Sequence, residues 1–401
     1  KLKVVNNNTA WTNGFTTNQE ILIPIKNGEG CYQADKKTLA QLEAEEQIIF
    51  KYLWRFTANA QSRMKQIYYL VILFCFTTFT SSAQIGGEST YQFLELTNSA
   101  RVAALGGNQV ALLDTTDLNL PFHNPALLDS AMQNRVLVNY VNYLTDINYG
   151  YASFAKSYKG IGNFALGMHY INYGDFKEAT ELGELTGINF NAAEYALNII
   201  YSNNYKRLKY GANLKPILSS FESYQSVGIA ADLGISFSSK NRLTNVALVA
   251  SNMGTQITTY YDNGSREKIP FNLQAGISRR LLHAPLIFSI TLQQLNNWDL
   301  ANPEPDPNSD GELSIFERDE SFSKQIMRHA VFGVEILPSE NFILRAGYNY
   351  QRRQELKFDD KVSSVGFSFG FGVKVKRFRL DYANSRFHLA GSSNLFSLGI
   401  N

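Results

Sequence analysis

The chain has 401 residues, 44% of them apolar, a formal charge of +2 and only two cysteines. That balance gives no reason to expect nucleic acid as a partner, and no stretch approaches the roughly 20 apolar residues of a membrane-spanning helix. Membrane β-barrels escape that test, because only every second residue of a strand meets lipid; the abundance of Tyr (22) and Phe (27) leans towards that class.

The first segment with a signature is Ile21-Leu-Ile-Pro-Ile-Lys-Asn-Gly-Glu-Gly-Cys-Tyr32, followed by Ala34-Asp35 and Ile48-Ile-Phe-Lys-Tyr52. On these motifs residues 1–63 resemble the C-terminal piece of the glutaminase subunit of phosphoribosylformylglycinamidine synthase. In that family the segment carries His-Gly-Glu-Gly, whose His and Glu belong to a catalytic triad. Here Asn27 stands at the His position and only Glu29 matches. An amide cannot be the general base that activates a nucleophile, and no nucleophile-bearing Cys elbow is present. The segment is expected to be chemically inert, and the chain is not expected to be an enzyme.

Residues 64–84 read Met-Lys-Gln, then an apolar run from Ile67 to Phe79, then Thr-Ser-Ser-Ala-Gln84. A basic head, a short apolar core and small residues at Ser81 and Ala83 make a secretory signal peptide over 64–83, with the mature chain starting at Gln84. Signal peptides act at an N-terminus, so residues 1–63 are expected to be an artefactual or fused fragment, with Met64 as the start. Cys31 and Cys75 both precede Gln84, which leaves the exported part without disulfides or thiolate metal sites.

Residues 84–134 are not strand-like. Tyr91–Gly107 predicts a short helix ended by glycines, and Asn119-Leu-Pro-Phe-His-Asn-Pro-Ala-Leu-Leu128 follows. A Gly- and Pro-punctuated leader of this kind is expected on the periplasmic side, folded into a barrel lumen as a plug.

From residue 135 to 401 the chain shows repeated period-2 segments. In Val365-Gly-Phe-Ser-Phe-Gly-Phe-Gly-Val-Lys-Val375 one parity is Val and Phe, the other Gly, Ser and Lys. The prediction is all-β: about fourteen antiparallel strands closing a transmembrane barrel, with the N-terminal plug inside. A Lys or Arg facing lipid at mid-membrane costs roughly 2–4 kcal/mol, so charges should take the opposite parity from the apolar set. Lys209, Lys215, Asp232, Glu335, Arg345, Lys374, Arg379 and Asp381 all do. The first two strands, around Val136–Leu144 and Tyr149–Tyr158, are ambiguous in phase. Connections near 159–161, 203–207, 238–243, 280–284, 337–341 and 375–377 are short, whereas those near 173–192, 254–269, 296–327, 350–362 and 384–393 are long. Short and long ends match periplasmic turns and outer loops. The competing arrangement is a soluble β-sandwich, in which the apolar parity is a core between two sheets.

Five histidines, His123, His169, His283, His329 and His388, form no metal-ligand spacing and are expected to be structural or luminal. No phosphate loop or nucleophile elbow is present. The segment Asp306-Pro-Asn308-Ser-Asp310-Gly311-Glu312-Leu-Ser314-Ile-Phe-Glu317 matches the calcium-loop pattern. Asp306, Asn308, Asp310, Glu312 (through its carbonyl), Ser314 and Glu317 are candidate Ca²⁺ ligands. A solvated acidic loop is the other reading of the same residues.

The motifs Gln84-Ile-Gly-Gly-Glu-Ser-Thr-Tyr-Gln-Phe-Leu, Ser99-Ala-Arg-Val-Ala-Ala-Leu-Gly-Gly107, His123-Asn-Pro-Ala-Leu-Leu128 and Asn139-Tyr-Val-Asn-Tyr143 together resemble the PorQ family of the type IX secretion system. That family is similar to PorV and, more remotely, to FadL-type channels. The resemblance implies a fourteen-stranded outer-membrane barrel working with PorU, PorV and PorZ in attaching secreted cargo to surface lipopolysaccharide. It carries over no catalytic residue; on the sequence itself no cofactor is expected beyond the possible Ca²⁺. The competing expectation is a FadL-like channel for hydrophobic small molecules.

Overall fold

The computed structural model describes residues 2–4, 16, 19–21, 50–52, 89–143, 146–179, 185–261, 264–300, 304–305, 315–316, 321–356, 364–386 and 391–400. The chain divides into two units, Lys1–Thr80 and Ser81–Asn401. In the first, Leu2–Val4 pairs antiparallel with Glu20–Ile21 on one side and Phe50–Tyr52 on the other. Asn27, Glu29 and the signal-peptide segment 64–83 lie outside the described residues.

The second unit is a closed antiparallel barrel of fourteen strands. They are β1 (Val136–Asn142), β2 (Asn148–Tyr158), β3 (Gly162–Ala179), β4 (Leu185–Tyr205), β5 (Leu208–Phe221), β6 (Tyr224–Ser238) and β7 (Thr244–Thr258). The ring continues through β8 (Asn272–Arg280), β9 (Leu286–Leu292), β10 (Ala330–Ile336), β11 (Phe342–Asn349), β12 (Phe367–Val375), β13 (Phe378–Arg386) and β14 (Ser392–Ile400). Every strand pairs with its neighbours in sequence, and β14 closes on β1 from Ile400↔Val136 to Asn394↔Asn142. Closure removes every sheet edge, which is what a bilayer demands of a strand-built protein.

The side chains sort as the charge test requires. Leu233 and Phe369 are about half exposed on the outer face, with Leu248, Ile290 and Phe396 also outward. On the inner face Lys215, Asp232, Glu335, Arg345 and Asp381 are buried. The large apolar residues therefore point away from the protein interior and the ionic ones into it. A sandwich would show the reverse, with Leu233 and Phe369 in a core. The connections Lys206–Arg207, 281–285, 337–341 and 376–377 lie at one rim, and the long ones at the other, where the two-residue turn Glu222–Ser223 is a short exception. The span near 173–192 is a correction in kind: β3 and β4 continue well past the ring as a hairpin, with Phe176 stacked on Phe190 across it.

Residues 89–134 fill the lumen. The helix predicted across 91–107 is in fact broken: a 3-10 turn over Gln92–Glu95, an extended stretch, then α1 (Ala100–Ala104). Ser99 accounts for the break, because its side chain accepts the Val102 N–H and so caps a new helix start. The glycine stop falls where expected: Gly106 and Gly107 have φ of 100° and 99°, and Gly107 N–H donates to the Val102 carbonyl at 3.0 Å. A second short helix, α2 (Leu120–His123), leads into 3-10 turns at Pro125–Leu127 and Ser130–Met132.

The plug also explains the phase ambiguity of β1 and β2. Leu137, Tyr151 and Ala155 point inward and pack on Leu118, Phe122 and Met132 of the plug, while Val136, Val138, Tyr140 and Phe154 point outward. Both faces of these strands are apolar, so alternation vanishes from the sequence. Elsewhere the wall makes room by losing side chains. A Cβ on Gly347 would collide with the Leu105–Gly106 backbone, and one on Gly211 with the Pro125–Ala126 backbone.

Candidate functional site: a sealed lumen with a pocket at its mouth

Two polar regions lie inside the barrel, and both are built by the plug meeting the wall. The first is towards the short-turn rim. Arg101, buried on α1, donates Nε and Nη2 to the two Glu335 carboxylate oxygens at 2.9 and 2.7 Å. Its Nη1 reaches Asp114 at 2.8 Å and Asp117 at 2.9 Å. From the wall, Arg345 bonds Glu335 at 2.9 Å and Asp381 at 2.7 Å. Arg379 bonds Asp381 at 2.8 Å and both Asp114 and Asp117 at 3.1 Å. Three guanidiniums and four carboxylates thus form one continuous network joining the plug to β10, β11 and β13. Burial alone would raise the Asp114 carboxyl; the Arg101 and Arg379 guanidiniums overcome it and hold the group well below the usual carboxylate range. Buried ion pairs contribute little net stability but specify one geometry, and removing one partner strands the rest. Here they fix the register of plug against wall.

A second ionic group sits at a β-bulge in β7. Asn252 adopts φ 58°, its N–H donates to Asp232 at 2.8 Å, and its side-chain oxygen accepts from Lys215 Nζ at 2.8 Å. Lys215 also pairs with Asp232 at 2.7 Å. The bulge shifts the β6–β7 register between Ala250 and Met253, beyond which pairing resumes at Met253↔Ala231.

The second region opens towards the long-connection rim. A cavity of about 180 Å³ lies between the plug and residues of β5, β7, β8 and β11 and of the segments that follow β9 and β11. Its lining includes Leu94, Glu95, Leu96, Asn108, Phe122, His123, Asn272, Gln274, Gln293, Gln294, Asn349 and Arg352. Asn108 donates to Gln274 at 3.0 Å and Gln293 at 3.2 Å, and Asn272 donates to Glu95 at 3.2 Å. Gln294 holds φ 54°, fixed by its N–H donating to Asn272 Oδ1 at 2.8 Å. Two buried polar atoms at this cavity, His123 Nε2 and Gln294 Oε1, have no protein partner among the described residues. Burial, and after it the nearby Lys215 ammonium, push the His123 imidazole down to about 4.

The candidate Ca²⁺ ligands Asp306, Asn308, Asp310, Glu312, Ser314 and Glu317 lie outside the described residues, between and beside the paired segments 304–305 and 315–316. Among the described residues no group of three or more His, Cys, Asp or Glu is placed to hold a metal ion. His123 and His169, far apart in sequence, both pack against Phe122, at 5.2 and 5.3 Å between ring centroids. His329 contacts the Gln293 carbonyl at 2.7 Å. Of the network, Glu335, Arg345, Arg379 and Asp381 were legible as inward charges. Their partner Arg101 was not, although an Arg among Ala and Val on a short buried helix is itself a signal.

The ring of strand pairs, the outward apolar belt and the filled interior define a membrane-spanning β-barrel. No family model matches the chain. A short segment is similar to the phosphoribosylformylglycinamidine synthase subunit PurQ. The match is 52% identical over 58 residues to that of Corynebacterium glutamicum, covering 14% of this chain and 26% of that protein. For Moorella thermoacetica it is 61% over 51 residues, covering 13% and 22%. The chain spans about a quarter of the length of the curated relatives it matches. Among solved structures, the Pseudomonas putida toluene transporter TodX is 13% identical with a TM-score of 0.46, over 77% of this chain and 99% of that one. A Pseudomonas aeruginosa FadL homologue is 9% identical with a TM-score of 0.42, over 75% and 97%. At these values the likeness adds nothing to what the closed ring of strands already defines.

Proposed function

We propose that this chain is a non-enzymatic outer-membrane barrel that works as a closed scaffold, with its long outer connections holding a partner at the cell surface. The observation that carries this reading is the seal. A plug tied to three strands through Arg101, Glu335, Arg345 and Arg379 suits a lumen that stays filled. Loops on a rigid frame are where binding usually resides. The finer reading, a component of the type IX secretion system with PorU, PorV and PorZ as partners, is supported by the ordered motifs between Gln84 and Tyr143.

The second reading is a FadL-like channel for hydrophobic small molecules; TodX is by its description a toluene transporter. The cavity at the mouth favours this reading, because a channel needs an entry site. Its lining of amides, Glu95 and Arg352 speaks against a hydrophobic cargo. Affinity purification of the tagged chain from outer membranes, paired with solute uptake by proteoliposomes, decides between them. A stoichiometric partner with no uptake supports the scaffold; uptake of toluene-like solutes with no partner overturns it in favour of the channel.

A further inference from the structure

The cavity at the outer mouth is a built recognition site, and we infer that it takes a small neutral polyhydroxylated ligand, a single sugar ring. Three features point to that class. The first is the polar lining. Asn108, Asn272, Gln274, Gln293, Gln294 and Asn349 come from the plug, β8, the connection after β9 and β11. Amides carry donor and acceptor together without net charge. A wall of them matches a ring of hydroxyls, each of which also donates and accepts, and gives no preference for an ion. The charged side chains do not reverse this. Lys215 is neutralised by Asp232 at 2.7 Å, and Glu95 faces the same space as Arg352.

The second feature is an apolar share of the lining. Leu94, Leu96 and Phe122 line the cavity together with the amides, which suits a pyranose that carries C–H groups as well as hydroxyls. The third is size and unmet valence. At about 180 Å³ the cavity is below the roughly 300–1,000 Å³ of sites for drug-sized ligands, so it holds one ring and not an acyl chain or a peptide segment. His123 Nε2 and Gln294 Oε1 are buried there with no protein partner among the described residues. Gln294 Oε1 calls for a donor and His123 Nε2 takes either role according to its tautomer, which hydroxyls supply. Leaving a buried polar atom unsatisfied is unfavourable, so a ligand that satisfies both is favoured over an apolar one.

The test uses the full-length chain in a detergent without a sugar headgroup. Glucose, galactose, mannose and N-acetylglucosamine are the neutral probes, with glucuronate and toluene for comparison. Saturation-transfer NMR reports contact, and isothermal titration gives affinity. The expected result is transfer to at least one neutral sugar, with affinity about tenfold weaker in Asn108→Ala and in Gln294→Asn, the loss of one hydrogen bond each. Asparagine tolerates the left-handed backbone at 294, and heat-modifiable gel mobility confirms that each variant is folded. No transfer to any neutral sugar overturns the inference, as does binding unchanged in both variants. Stronger binding of glucuronate overturns the neutral class by making Arg352 the recognition element, and stronger binding of toluene overturns it by making Leu94, Leu96 and Phe122 the recognition elements.

Discussion

The two polar regions of the lumen are made from the same materials and behave as opposites. Towards the short-turn rim, Arg101, Arg345 and Arg379 pair with Glu335, Asp114, Asp117 and Asp381, and the pairs tie plug to wall. Towards the long-connection rim, Asn108 joins Gln274 and Gln293 through neutral hydrogen bonds, and a cavity remains where His123 Nε2 and Gln294 Oε1 have no partner among the described residues. A buried charge without a partner costs far more than a neutral amide without one, so the charges here are paired while the amides leave room for a cavity. The difference teaches that the barrel is fastened at one end and receptive at the other.

That contrast can be broken from its strongest side. Arg101→Met leaves Glu335, Asp114 and Asp117 short of a cation, and breaking a buried pair this way costs about 3–5 kcal/mol. Urea unfolding followed by tryptophan fluorescence and gel mobility should show that loss, together with new conductance steps in planar bilayers. Gly347→Ala places a Cβ against the Leu105–Gly106 backbone; the overpacking costs about 1–3 kcal/mol, and protease cutting within the plug should rise with it. On the receptive side, Gln293→Ala removes acceptor and donor contacts worth about 1 kcal/mol. It should leave conductance closed, which separates mouth from seal.

The pH response is gradual and draws on both regions. His123 and Asp114 both lie below their ordinary values of 6.5 and 3.8, so the unfolded chain takes up protons first. Stability is full above about pH 6.5, falls as the pH drops towards 4 through His123, and falls further below the ordinary Asp value. Unfolding midpoints between pH 8 and pH 4 check this, and His123→Gln should flatten the upper part of the curve.

How much of this was readable without coordinates depends on which forces act on each residue. The β12 pattern of Phe and Val against Gly, Ser and Lys was legible because lipid and lumen are different solvents and each selects its own side chains. The phase of β1 and β2 was not, because Leu137 and Tyr151 face an apolar plug surface in place of a polar lumen. The inward charges were visible by parity, but their pairing with Arg101 requires a contact across 234 residues of sequence, and local pattern carries no such information. The pocket left no trace, since its amides are scattered over four elements and each is an ordinary residue where it stands.

The central claim is that apolar side chains of the wall meet lipid while their neighbours face the plug. Val246-Ala247-Leu248-Val249 in β7 tests it most directly, because all four are apolar and hydrophobicity cannot assign them. Val246 and Leu248 point outward, whereas Ala247 and Val249 are buried. Single nitroxide labels at these positions, with Cys31 and Cys75 replaced by serine, should alternate in proteoliposomes. Labels at 246 and 248 should collide freely with lipid-dissolved oxygen, and those at 247 and 249 should be immobile and shielded. Shielding of 246 and 248 from oxygen, with 247 and 249 open to it, would contradict the account.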